Sequence, residues 1–104
     1  MKYVGTPHCM TEAFFRETAG YGDVGKPSDY EPRQSVTVEA NSPQWACEEV
    51  WRIYQNIDEG HLTPDNGRSM MVGDLIVLTT EQRPVGDIWR VESFGFATTE
   101  LAPA

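Results

Sequence analysis

Residues 68–96, RSMMVGDLIVLTTEQRPVGDIWRVESFGF, decide how this chain folds. Gly73-Asp74 opens a short apolar run in which Met71, Gly73, Leu75 and Val77 alternate with Val72, Asp74, Ile76 and Leu78. Apolar side chains fall on both alternating sets, which is the pattern of a central strand. Residues 80–84 turn the chain and 86–93 return it, with Ile88 and Val91 off-phase, so that a bulge is expected. Phe94-Gly95-Phe96 closes the return strand, and a short last strand over 97–101 is expected after it. The stretch reads as a β-hairpin and holds no catalytic constellation.

Upstream lies a segment that packs on this ribbon. Residues 35–40 (SVTVEA) alternate polar and apolar, with Val36 and Val38 on one face, as in a half-buried strand. Asn41-Ser42-Pro43 follows. The proline steers Ser42 away from helical geometry, which suits an N-cap, and Pro43 fits the first helical turn, where its missing N–H costs nothing. The helix is expected to run from 43 to about 57. Ala46, Val50, Ile53, Tyr54 and Ile57 make one apolar stripe, with Trp45, Gln44, Glu48, Arg52 and Gln55 mostly off it. Glu48 and Arg52 stand in the favourable i,i+4 order, and Trp51 lies just beside the stripe. Asp58-Glu59-Gly60 is expected to end the helix, and residues 61–67 (HLTPDNG) are turn-rich.

Residues 1–34 are the least readable third. A short helix is expected over 11–20, between the N-cap residue Thr11 and Gly20, with one of Phe14 and Phe15 packing on the core. Residues 21–33 contain Gly22, Gly25, Pro27 and Pro32 and read as a long loop. The expected fold class is therefore α+β: a small antiparallel sheet with one main helix packed on a face, plus a short N-terminal helix. At 104 residues the chain is one domain with no room for a second core.

Composition removes several classes of function. With 39% hydrophobic residues the chain is not disordered as a whole. Its longest aliphatic run, 75–78, is far short of the roughly 20 residues of a membrane helix. The first residues lack the apolar stretch of a signal peptide, so a cytoplasmic protein is expected, with Cys9 and Cys47 reduced. The net charge of −8, from 16 acids and 8 bases, repels phosphate backbones and argues against direct nucleic-acid binding. A DNA mimic needs carboxylates arrayed on one face. The acids here are scattered, densest at Glu48-Glu49 and Asp58-Glu59, and surplus acid on a solvated surface is the simpler explanation.

Two short motifs carry a family likeness. The run from Arg68 and Ser69 to Val72, Gly73 and Asp74, followed by Ser93, Gly95 and Phe96, resembles the YodL-like domain family over about residues 42–98. In that family a helix leads into RS-apolar-S-V-[GS]-D-V-V, then a hairpin ending D-S-x-G-F. Met71 stands where a small polar residue is usual, and Glu92 where aspartate is usual. The resemblance implies a phage, prophage or mobile-element accessory protein. It supplies no catalytic residues and leaves 1–34 as an extension. The residues themselves suggest a structural role: Asp74 can accept backbone N–H bonds in the preceding turn, and Arg68 can pair with it or with Glu92.

Other constellations are weak. His8-Cys9, Cys47 and His61 lack zinc-ligand spacing, and no metal or cofactor is expected. Asp65-Asn66-Gly67 reads as a tight turn rather than a calcium loop. Aromatics are the better lead: Trp45, Trp51 and Trp89, with Tyr54, Phe94 and Phe96, exceed what a small core requires, and Trp45 is the best candidate for exposure. The expected function is a non-enzymatic accessory protein that binds a host protein through an acidic, aromatic-bearing surface, with Trp45, Glu48, Glu49, Trp51, Arg68 and Asp74 as candidate binding residues. A homodimer is also compatible with this reading. The alternative is an acidic DNA mimic that inhibits a restriction or CRISPR-type enzyme. A third reading, a small hydrolase or transferase, would depend on Cys9 or His61.

Overall fold

A computed structural model describes residues 1–55 and 62–104. Six strands, β1 (Lys2–Met10), β2 (Tyr30–Pro32), β3 (Val36–Glu39), β4 (Leu75–Thr79), β5 (Asp87–Glu92) and β6 (Gly95–Thr99), form one antiparallel sheet. Its order is β2-β1-β4-β5-β6, and β3 pairs with the other half of β1, beyond β2. Two helices accompany it, α1 (Glu12–Thr18) and α2 (Pro43–Ile53). The α+β class, the single sheet and the main helix on one face stand as the sequence implies.

Alternation sorts the side chains onto two faces. Tyr3, Cys9, Ile76, Leu78, Trp89 and Val91 pack against Ala46, Cys47, Val50 and Tyr54 of the α2 side. Met10, Leu75 and Ile88 look the other way, toward Phe14 of α1, Tyr30 and Leu101. The ring of Phe14 meets that of Tyr30 edge-on at 5.5 Å. A strand covered on both faces must be apolar on both, and this is why β4 reads as a continuous run. The expected bulge is absent among the described residues. Leu75, Ile76, Val77 and Leu78 pair in unbroken register with Arg90, Trp89, Ile88 and Asp87. Ile88 and Val91 look off-phase because each serves a different core.

The largest departure from the sequence reading is β1. The N-terminal segment, an extension by the sequence pattern, supplies a nine-residue strand that lies between β4 and the β2/β3 edge. Gly5 and Pro7 obscure it, since both ordinarily interrupt strands. Each has a local reason. A Cβ on Gly5 would stand 2.4 Å from Cγ2 of Val50, so the glycine is what lets α2 lie close to the sheet. Pro7 accepts a hydrogen bond from Arg33 N (2.8 Å), so its nitrogen faces the outer side of β1 just past the end of β2, away from the β4 ladder. The loop expected over 21–33 likewise contains a 3-10 turn, Pro27–Asp29, and β2.

Two further boundaries move. The strand expected from Met71 starts at Leu75, because 71–74 forms a turn in which Asp74 N donates to Met71 O (3.1 Å). Gly73 in that turn has φ of 96°, and its added Cβ would lie 2.6 Å from the Cα of Gly20, so two backbones touch there. The return strand ends at Glu92 and a tight turn at Ser93-Phe94 starts β6 at Gly95, so Phe94 closes no strand.

The start of α2 is as expected: Ser42 caps it by accepting from Trp45 N (3.3 Å), with Pro43 in the first turn. The helix gives way at Tyr54, whose hydroxyl donates to Gln34 O and whose carbonyl accepts from Met70 N. The helix is therefore shorter than the expected 43–57, since Tyr54 and Gln55 already lie beyond it; Ile57 and the expected stop at Asp58-Glu59-Gly60 lie outside the described residues.

Candidate binding surface

The six candidate residues separate into three places. Arg68 and Asp74 form an internal clasp. Asp74 is wholly buried, and its carboxylate accepts from Arg68 Nη1 (2.8 Å) and Nη2 (2.9 Å), from Met10 N (2.9 Å) and from Met71 N (2.9 Å). It ties the end of β1 to the turn before β4. Asp74 cannot touch a partner directly, so its place among the binding residues is corrected: its neighbours use all its acceptor capacity. Arg68 is spent on the same clasp and on Ser69 O, and it pairs with Asp74 rather than Glu92.

A second arginine repeats the device nearby. Arg33 donates to Asp65 from Nε (3.0 Å) and Nη2 (2.6 Å) and to Arg68 O from Nη1 (2.7 Å), while its guanidinium lies 4.6 Å from the Tyr54 ring centre. Asp65 also accepts from Gly67 N (3.0 Å), as expected of a tight turn. The Arg33 guanidinium beside Asp65 holds its carboxyl well below the usual carboxylate range. Sequence reading missed Arg33 because its partner lies 32 residues away and no local spacing marks the pair.

The other four candidates belong to α2. Trp45 is 64% exposed in the first turn and borders a groove with Met1, Glu39, Asn41 and Glu49. Glu48 is exposed one turn further on. Glu49, half-buried, pairs with Arg52 at i,i+3, displacing the expected Glu48–Arg52 pair. Trp45, Glu48, Glu49 and Arg52 therefore form one outward stripe at helical spacing. Trp51 turns toward the sheet, half-buried against the main core, and meets Glu48 and Phe96 around a shallow depression. Beside that depression the β5–β6 turn carries Phe94, which is 99% exposed. Its signal was a two-residue turn before a glycine, hidden by reading Phe94-Gly95-Phe96 as continuous strand.

The chemistry available to the thiols is limited. Burial pushes the Cys9 thiol up to about 11 and that of Cys47 up to about 12. His8 follows Cys9 backwards along β1 and so projects to the opposite face, and burial lowers its basicity. His61 lies outside the described residues. Among the described residues no group of three His, Cys, Asp or Glu side chains gathers as a metal would require, and no helix is long and apolar enough to cross a membrane.

No family model, curated protein or solved structure matches this chain.

Proposed function

We propose that this chain is a YodL-like, non-enzymatic accessory protein of phage or mobile-element type, working in the cytoplasm of the host cell and binding a host protein through the outer face of α2. The observation that carries the reading is Trp45: a tryptophan largely in water, on a capped helical turn, with Glu48 and Glu49 beside it. A rigid aromatic that loses its water on contact is the usual anchor of a protein interface, and flanking charges select and orient the partner. The matching host surface is an apolar hollow with basic residues at its rim. The motif residues behind the family likeness contribute differently. Arg68 and Asp74 build the clasp, Gly73 allows the close turn beside it, and Ser93, Gly95 and Phe96 build the last hairpin, so they maintain the scaffold that presents α2.

The test is capture from host lysate with tagged wild-type and Trp45→Ala proteins, at about 50 and 200 mM salt. A partner held by the wild type at both salt concentrations and lost by Trp45→Ala supports the reading. Retention of the same partner by Trp45→Ala removes it. A contact that falls by orders of magnitude over this salt range and competes with duplex DNA would support the DNA-mimic alternative instead.

A further inference from the structure

The two edges of the sheet differ in how they meet solvent. On the β2/β3 side the edge is interrupted at 33–35 and carries Glu31, Pro32 and Glu39, features that discourage a further strand. On the other side β6 pairs only with β5 and holds no charge and no proline over Gly95–Thr99. Val91 turns its N–H and carbonyl to Asp74 and Gly73, so Arg90 and Glu92 turn theirs to Ala97 and Gly95. By the same alternation Phe96 and Thr98 present their N–H and carbonyl groups outward. Among the described residues no other backbone group meets them.

An open edge is a template for another strand, and its composition selects which. Each chain carries a net charge of −8, so two copies repel over most of their surface. β6 is a neutral strip on which they can meet, and it is self-complementary. Antiparallel pairing about a two-fold axis at Ala97 sets Phe96 opposite Thr98 of the second copy, and Thr98 opposite Phe96 of the second copy. Both are hydrogen-bonded pairs, so every outward N–H and carbonyl of the two strands is matched. The exposed Ala97 side chains then face each other on the axis, at the closer spacing of a non-hydrogen-bonded pair, where a small residue fits. Glu100 of one copy falls beyond Gly95 of the other, at the turn that carries exposed Phe94, and meets no opposing acid. We infer that this chain pairs with a second copy of itself through β6, joining two sheets into one continuous antiparallel sheet. The pairing goes beyond the α2 surface and does not depend on it, because no residue of α2 takes part.

Sedimentation velocity of the full chain, from about 10 µM to about 1 mM, is expected to show monomer giving way to dimer, since so small a contact lies at the weak end of interfaces. Thr98→Pro removes an outward N–H that β5 does not use, so the fold should survive while the dimer is lost. An unchanged thermal midpoint at low concentration checks the fold of that variant. Ala97→Cys tests the register, because thiols facing each other on the axis lie within disulfide reach. Under oxidised glutathione, which takes up the two electrons and two protons of the thiols, this variant should cross-link into dimers. Val85→Cys, equally exposed but far from β6, should not, and Cys9 and Cys47 are buried and do not compete. If Thr98→Pro fails to fold, the comparison of the two cysteine variants decides. A monomer at every concentration, a dimer retained by folded Thr98→Pro, or equal cross-linking of the two cysteine variants would each overturn the pairing.

Discussion

Arg68 and Asp74 meet across a six-residue separation as a bidentate pair, with Asp74 fully enclosed and Arg68 about a third open to solvent. The carboxylate is also the acceptor for Met10 N and Met71 N, so one side chain joins the end of β1 to the entry of β4. Fixing this junction also fixes the close approach of Gly20 and Gly73.

Asp74→Ala should therefore be among the most damaging single changes in the chain. It leaves two backbone donors and a guanidinium without their acceptor, and removing one member of such a buried pair costs about 3–5 kcal/mol. Against a total stability of roughly 5–15 kcal/mol for a domain, the urea midpoint should fall steeply or the fold be lost. The double change Arg68→Met with Asp74→Leu should cost less than the sum of the two single changes, because it leaves no orphaned charge. Urea melts followed by circular dichroism measure both. A cost under about 1 kcal/mol for Asp74→Ala would contradict the clasp.

The Arg33–Asp65 pair predicts an acid response. Asp65 has a folded pKa depressed below its unfolded value, first because Arg33 hydrogen-bonds the ionised form. A depressed carboxylate contributes fully above its unfolded pKa of about 3.9, and the contribution drains away as pH falls below that toward the folded value. Wild-type stability should thus decline from about pH 4 downward. Asp65→Asn should be less stable at pH 7 and decline less over the same range. Parallel acid limbs for the two proteins would separate Asp65 from the effect.

The fold was legible wherever local chemistry and periodicity agreed. Ser42-Pro43 announces α2 because cap and first-turn proline act within one turn, and Leu75, Ile76 and Leu78 announce a strand buried on both sides. β1 was hidden because Gly5 and Pro7 are justified only by distant partners, Val50 in one case and Arg33 in the other. The candidate site divided along the same line. Trp45 lies off an amphipathic stripe and its exposure could be read from spacing. The enclosure of Asp74 depends on Met10, 64 residues away, and no local pattern records it.

Both thiols should be silent in the native protein. With Cys9 pushed up to about 11 and Cys47 up to about 12, the reactive thiolate is scarce at pH 8, and both side chains are buried. Labelling by an aromatic disulfide reagent should be slow in buffer and accelerate with the unfolded fraction as urea is added. Rapid labelling of one thiol in the native state would revive Cys9 as a nucleophile or show that its strand opens locally.

The three tryptophans offer the sharpest separation of scaffold from surface. Trp89 is 7% exposed and Trp45 64%. Trp89→Ala removes a buried indole from the main core and should cost about 3–5 kcal/mol. Trp45→Ala leaves the Ser42 cap in place, since the capping donor is the backbone N–H, and should change stability by no more than about 0.5 kcal/mol. Its effect should instead fall on partner affinity, by about 2 kcal/mol or more if Trp45 is the anchor. Trp51, half-buried against the core, should lie between them in stability. Equal destabilisation by Trp45→Ala and Trp89→Ala would mean that the helix start is clamped by its tryptophan, and α2 would then have no free aromatic to offer a host protein.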